Sequence, residues 1–404
     1  MSPDSDVAEQ FASPISGIDG TWPAIPSWWS YSSLAEAEAC PRRWALSHAS
    51  YPAVWSGSGY PQPASVAALA GDVVHGSLEF LVKELVRSGC EGVSDPAAVT
   101  VLQATGGFTR VVSDAVSART EALAENPRNF SRLEILKRRL SDRVPEMRQQ
   151  TQALLSRVQL TRSAPSSGSA GANSQRSTSG TSKPDGTYPE LQIKASTIGF
   201  AGRADLVTLS GSDVHIIDYK TGEHTAQHSD QLRTYAVLWA RSDAEDPERP
   251  VATRLTLSYP GGDVEVPAPD SAELESLATR LAERVARARA ELGISPPVTR
   301  PSEDNCRFCP VRHLCNPYWS WLRAQPVSSD GLTDVEMTIV APNGPRSWRC
   351  TGRFGDGLLR TPEGTVLPVG QKIRVLGVVY AMPDEESDEI IWSMTSASEC
   401  FELR

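Results

Sequence analysis

The 404-residue sequence contains no run of eighteen or more apolar residues, so no helix of ordinary membrane-spanning length is expected. Its first residues lack a basic segment followed by an apolar one. A secretory leader is therefore not expected, and a cytoplasmic location with no membrane partner is. No GxxxxGK[ST] sequence occurs, which excludes the phosphate-cradling loop of a helicase motor. Basic residues are outnumbered, 39 Lys and Arg against 49 Asp and Glu, for a net charge of −10. Bulk attraction to a polyanion is excluded, so contact with nucleic acid must come from local patches. One such patch is the largely helical run 129–162, with Arg132, Lys137, Arg138, Arg139, Arg143 and Arg148, broken or kinked at Pro145. That run reads equally well as a solvated helix face. No internal repeat is evident.

What the sequence does contain is concentrated in residues 202–235. Gly202-Arg203-Ala204-Asp205 is followed by Asp218-Tyr219-Lys220-Thr221-Gly222 and then by Gln231-Leu232-Arg233-Thr234-Tyr235. Val214-His215-Ile216-Ile217 is β-branched and apolar, the composition of a buried strand. Side chains alternate along a strand, so Asp218 and Lys220 share a face. The turn Ser210-Gly211-Ser212-Asp213 makes a hairpin that brings Asp205 close to both. Two carboxylates converging on a divalent cation, with a lysine beside them, suit phosphodiester hydrolysis. The cation holds the phosphate and acidifies a bound water, and the lysine steadies the hydroxide or the developing charge.

The rest of the chain divides by composition. Residues 1–27, rich in Ser, Pro, Gly and Asp, read as a poorly ordered tail. Residues 28–162 read as helical, with one segment over Ser32 to Leu46 and another over Ser65 to Arg87 whose buried stripe is Leu69, Val73, Leu78, Leu81 and Leu85. Residues 163–186, dominated by Ser, Gly, Ala, Thr and Asn, read as a flexible insertion. Residues 187–325 hold an α/β core beginning near Leu191, with a helix over Gln231 to Arg241, a hairpin over Thr253 to Pro267 and a long helix over Ser271 to Leu292. Residues 330–404 read as a small all-β domain.

Seven cysteines in such a chain argue for metal or reactive roles over disulfides. Cys306-x2-Cys309-x5-Cys315 has thiolate-ligand spacing and lacks a fourth donor, for which Cys40 is the leading candidate. Zinc, completed by His313 or Cys40, and an iron–sulfur centre fit the spacing equally. Cys90, Cys350 and Cys400 read as small buried apolar residues.

In this order the motifs resemble the RecB-like branch of the PD-(D/E)XK nucleases, specifically its iron–sulfur members. These include AddB-type recombination subunits and CRISPR-associated RecB-like exonucleases. Cys40-Pro41-Arg42-Arg43-Trp44 resembles the N-terminal cluster motif, and Gly71-Asp72-Val73-Val74-His75 the helical motif with a metal-binding histidine. The resemblance implies a restriction-endonuclease-like mixed sheet flanked by helices. It implies Mg²⁺ or Mn²⁺ held by His75, Asp205, Asp218 and the Tyr219 main-chain carbonyl, with Lys220 activating water and Gln231 and Tyr235 positioning DNA. It further implies a [4Fe–4S] cluster on Cys40, Cys306, Cys309 and Cys315. Glu79, one turn beyond His75, is placed to support the site. The implied substrate is single-stranded DNA or DNA ends, in repair, recombination or phage defence, with a helicase or a recombination or defence complex as partner. The alternative is a non-catalytic DNA-binding scaffold, against which the like-charge cost of a converged acidic pair counts. The last domain lies outside the resemblance. Its Gly377-centred run resembles an OB-type barrel, and residues such as Trp348, Arg349, Arg353, Arg360, Lys372 and Tyr380 fit a plain structural β-domain equally well.

Overall fold

The computed structural model describes residues 13–15, 22–162, 183–242, 250–326, 332–353, 355–381 and 389–403. The insertion expected at 163–186 lies outside them as far as residue 182. The tail expected over 1–27 is not wholly irregular. Ser13–Ile15 forms strand β1, parallel to Phe401–Leu403, where an open strand edge offers it backbone partners.

One helix was expected over Ser32 to Leu46, and two are present, α1 (Tyr31–Ala39) and α2 (Pro41–His48). A residue before proline avoids the α region, and Cys40 is extended, at φ −160° and ψ 105°. Pro41 then starts α2, where its missing N–H costs nothing. The break leaves Cys40 at a corner. Next come α3 (Val66–Arg87), α4 (Pro96–Ala104), α5 (Gly107–Leu123), a 3₁₀ turn (Pro127–Arg132), α6 (Leu133–Asp142) and α7 (Val144–Leu155). Pro145 sits in the first turn of α7, so the break falls at Arg143.

The central sheet has the order β2 (Gly186–Ala195), β3 (Phe200–Ser210), β4 (Asp213–Tyr219), β5 (Arg254–Tyr259), β6 (Gly262–Val266). Only β4 and β5 run parallel; the other neighbours are antiparallel. A parallel pair needs a crossover, and α8 (Ala226–Ala240) supplies it. Val214 and Ile216 face α8 and α9 (Ser271–Leu292), while Ile217 and Tyr219 face α3, α5 and α7. Alternation therefore turns Asp218 toward α8. Helix α9 opens with a capping box between Asp270 and Glu273, a device that stabilises a helix by about 1 kcal/mol. The cysteine triplet spans α10 (Glu303–Cys306) and a 3₁₀ turn (Arg312–Leu314), followed by α11 (Asn316–Ala324).

The last five strands are β7 (Leu332–Pro342), β8 (Ser347–Gly352), β9 (Gly355–Arg360), β10 (Lys372–Ala381) and β11 (Ile390–Leu403). β7 pairs with β8 and β10, β8 with β9, and β10 with β11, all antiparallel. The parallel pairing of β9 with β11 closes the ring. This closed five-strand barrel has the OB-type form. Gly377 (φ 69°) interrupts β10 at a bulge that breaks register with both neighbours, a bend only a glycine makes cheaply. Its N–H donates to Asp334 at 2.8 Å and its carbonyl accepts from Ser398 at 2.6 Å.

The barrel is docked through buried charge. Arg374, 6% exposed, donates to Glu336, to the His313 carbonyl and to Asn316 Oδ1. Arg312 pairs with Asp334, which also accepts from Tyr318. Arg128 donates to both Glu399 oxygens and to the Pro61 and Pro310 carbonyls. Replacing Arg374 by Ala orphans those acceptors, and a loss of about 3 kcal/mol is expected in urea unfolding followed by tryptophan fluorescence.

Candidate active site

The antiparallel register Leu206↔Ile217 sets Asp205 next to the Asp218 end of β4. Asp205 Oδ2 accepts from the Tyr219 N–H at 2.7 Å, tying the two strands at that point. Asp218, 2% exposed, lies 2.6 Å from Lys220 Nζ. Beyond this ion pair, that buried carboxylate oxygen has no hydrogen-bond partner among the described residues. Lys220 Nζ also donates to Gln231 Oε1 at 3.0 Å, and Gln231 Nε2 donates to the Tyr235 hydroxyl at 3.0 Å. Gln231 and Tyr235 lie one turn apart on α8, as an i, i+4 pair must to share a face. A Cβ on Gly202 would stand 2.6 Å from the Tyr235 ring, so this glycine lets α8 lie close against β3.

From the other side, α3 presents His75, whose Nδ1 is 3.7 Å from Asp205 Oδ2. Burial, the larger effect, lowers the His75 pKa, with Asp218 opposing it. The imidazole is thus neutral near pH 7 and available as a nitrogen donor. Burial first, and Asp218 second, raise Asp205 well above the ordinary carboxylate range. Two carboxylates and a neutral imidazole form a donor set suited to a hard divalent cation, and Asp205's raised pKa signals charge that a cation would neutralise. Among the described residues, no three His, Cys, Asp or Glu side chains are drawn together as tightly as the ligands of a single bound ion. Asp218 is drawn to Lys220 instead. Glu79, expected to support the site, pairs with Lys83.

Sequence reasoning missed Glu190. The pairs Pro189↔Leu206 and Leu191↔Ala204 place it across from Asp205. It is the only non-glycine described residue at positive φ (54°), a conformation costing roughly 1 kcal/mol or more. Arg203 pairs with it at 2.7 Å, and burial raises its pKa, with Glu79 and Asp218 adding to the rise. Its only sequence signal was the register of β2 on β3, which no local pattern gives.

The cysteines expected to act together line one pocket, with Arg43, Leu46, Val311, Arg312 and Tyr318 among its walls. Cys40 enters it from the α1–α2 corner, and Cys306, Cys309 and Cys315 from the segment after α9. His313 lies elsewhere. Its Nε2 is 2.7 Å from the Tyr60 hydroxyl and its ring stacks on Phe401 at 3.7 Å. Burial raises the thiol pKa of Cys306, Cys309 and Cys315, Cys309 to about 12. Cys90, Cys350 and Cys400 are buried apart from this cavity. Half of the six basic residues singled out in the run 129–162 are committed: Lys137 pairs with Glu134, Arg143 with Glu146, and Arg132 donates to the Ala64 carbonyl.

The family model described as the PD-(D/E)XK nuclease superfamily matches residues 28–316. No curated protein matches the chain. Among solved structures, "Crystal structure of SSO0001" is 20% identical, with a TM-score of 0.21 over 33% of this chain and 61% of that one. A likeness that weak carries no argument.

Asp205's carboxylate is destabilising while its proton is off. Its folded pKa lies above the unfolded value, so stability should rise as pH falls through the folded pKa. Asp205→Asn in EDTA at pH 7 is therefore expected to melt above the wild type. It should also lose the rise in Tm that Mg²⁺ or Mn²⁺ gives the wild type, as read by differential scanning fluorimetry.

Proposed function

Because the chain belongs to the PD-(D/E)XK nuclease superfamily, we propose that it is a metal-dependent DNA nuclease of the RecB-like branch, acting on single strands or ends and stiffened by a [4Fe–4S] cluster. The observation that carries the catalytic reading is the convergence of Asp205, Asp218, Lys220 and His75 from two paired strands and α3. His75, Asp205, Asp218 and the Tyr219 carbonyl would hold Mg²⁺ or Mn²⁺. A cation bound there supplies Lewis-acid charge to a phosphoryl oxygen and lowers the pKa of a bound water. Lys220, held between Asp218 and Gln231, orients that water and stabilises negative charge as it develops. Gln231 and Tyr235 keep the lysine on the substrate side of the sheet and line the DNA path. A scaffold would have no use for a buried carboxylate pair that repel each other.

The cluster reading rests on the cysteine cavity. Cys40, Cys306, Cys309 and Cys315 all line it, which offers four thiolates, the usual ligand number of a [4Fe–4S] cage. Arg43 and Arg312 offset the negative charge of four thiolates. Cys40 and Cys306 are more than 260 positions apart, so ligation ties both ends of the nuclease core. A role in recombination, repair or phage defence, beside a helicase or a larger complex, follows from the branch.

End-labelled DNA with Mg²⁺ or Mn²⁺ is expected to be cut by the wild type and at least about a hundredfold more slowly by Asp218→Ala and Lys220→Ala. Wild-type rates in either variant would sink the assignment. Anaerobic purification should yield a brown protein with four irons and four labile sulfides per chain, and Cys40→Ser should lose both the colour and thermal stability. A colourless protein with stoichiometric zinc refutes the cluster.

A further inference from the structure

On the β5 side of Lys220 stand two side chains with no part in the motifs above. β4 and β5 pair Tyr219 with Ser258, and the Lys220 N–H donates to the Ser258 carbonyl at 2.9 Å. Tyr259, the next residue on β5, therefore lies beside Lys220. His228 is three residues before Gln231 and seven before Tyr235, so all three occupy one face of α8. His228 Nδ1 is 2.8 Å from the Tyr259 hydroxyl, and the two rings lie 6.0 Å apart.

The chemistry of the pair sets its proton positions. Tyr259 is 8% exposed, and burial, followed by Asp218, raises its pKa, so the phenol keeps its proton. Burial, followed by the neighbouring Lys220 charge, lowers the pKa of His228, with Asp218 opposing and His224 adding, so the ring is neutral near pH 7. With the phenol O–H donating to Nδ1, the neutral ring carries its hydrogen on Nε2. Among the described residues that Nε2 has no partner. The result is a neutral, half-buried N–H donor, fixed at its far nitrogen, one helical turn before the glutamine that holds the lysine.

We propose that His228, oriented by Tyr259, is a further catalytic residue of this site, its Nε2–H donating to a non-bridging oxygen of the phosphodiester that Lys220 also addresses. The proposal rests on the nuclease reading and adds a donor on the side of Lys220 away from Asp205. Being neutral, this donor binds phosphate without repelling the divalent cation, which a third cationic group would do. Tyr259 acts through His228 and is a positioning residue.

The test is single-turnover cleavage of a 5′-labelled single-stranded oligonucleotide in Mg²⁺, its affinity in Ca²⁺ by fluorescence anisotropy, and Tm for each variant. His228→Ala is expected to cut about tenfold or more slowly and to bind about threefold to tenfold more weakly, with Tm unchanged. His228→Gln, whose amide N–H reaches a similar point, should recover most of both. Tyr259→Phe should fall between, its loss mainly in rate. Wild-type rate and affinity in His228→Ala would overturn the proposal, as would a His228→Gln as impaired as the alanine. If the wild type itself does not cut, the nuclease reading fails, and the affinity arm still decides whether His228 contacts phosphate.

Discussion

The register of β4 between an antiparallel and a parallel neighbour is the constraint on which the rest depends. Pairing with β3 brings Asp205 to Asp218, and pairing with β5 brings Tyr259 to Lys220. A slip of one residue on either side would turn each of these side chains to the opposite face. Apolar contacts guard against the slip: Val214 and Ile216 must reach one helical layer and Ile217 and Tyr219 the other. The chemistry at the end of the strand is therefore held in place by the greasy residues in its middle. Charge repulsion between the carboxylates is tolerated because misregistering the strand would expose its core residues.

Much of this was legible in the chain, and the failures have physical causes. The β-branched, apolar composition of Val214–Ile217 and the turn Ser210–Asp213 identify β4 and its hairpin partner, and the Asp270–Glu273 cap agrees with the predicted start of α9 at Ser271. The Asp205–Asp218–Lys220 convergence was readable because a tight hairpin makes sequence distance a guide to spatial distance. Glu190 and Tyr259 were not readable. Each reaches the site through pairing with a strand whose register is settled by the whole sheet. The Ser32-to-Leu46 segment is helical in pattern throughout, and Pro41 divides it by forcing Cys40 into an extended conformation. Three extended residues in a polar tail carry almost no local signal; β1 exists because β11 offers it an edge.

The OB-type barrel is less an appendage than a wall of the cysteine region. Leu376 and Phe401 share an apolar cluster with Cys309, Val311, Cys315 and Trp319, and Arg312, between two of the cysteines, is anchored to Asp334. The barrel's cationic side chains are largely occupied, Lys372 with Glu336 and Arg353 with the Leu322 and Gln325 carbonyls. What the strands β7 and β10 present inward to the nuclease is charge already spent on docking. The segment Cys309 to Cys315 is consequently braced from three directions: by Arg128 of the helical region, by Arg374 of the barrel and by the stacked ring of Phe401.

The distance along the chain between Cys40 and its companions also sets a timetable. Synthesis proceeds from the N-terminus at roughly 5–20 residues per second, so Cys40 emerges on the order of tens of seconds before Cys306. During that interval the corner of α1 and α2 must fold with its thiol unshared, and the barrel residues that close the region arrive later still. All four thiols are present together only once Cys315 has been made. A truncated chain ending before the barrel would present three cysteines on a segment missing two of its three braces, Arg374 and Phe401, which makes the barrel a checkpoint on completeness as much as a module.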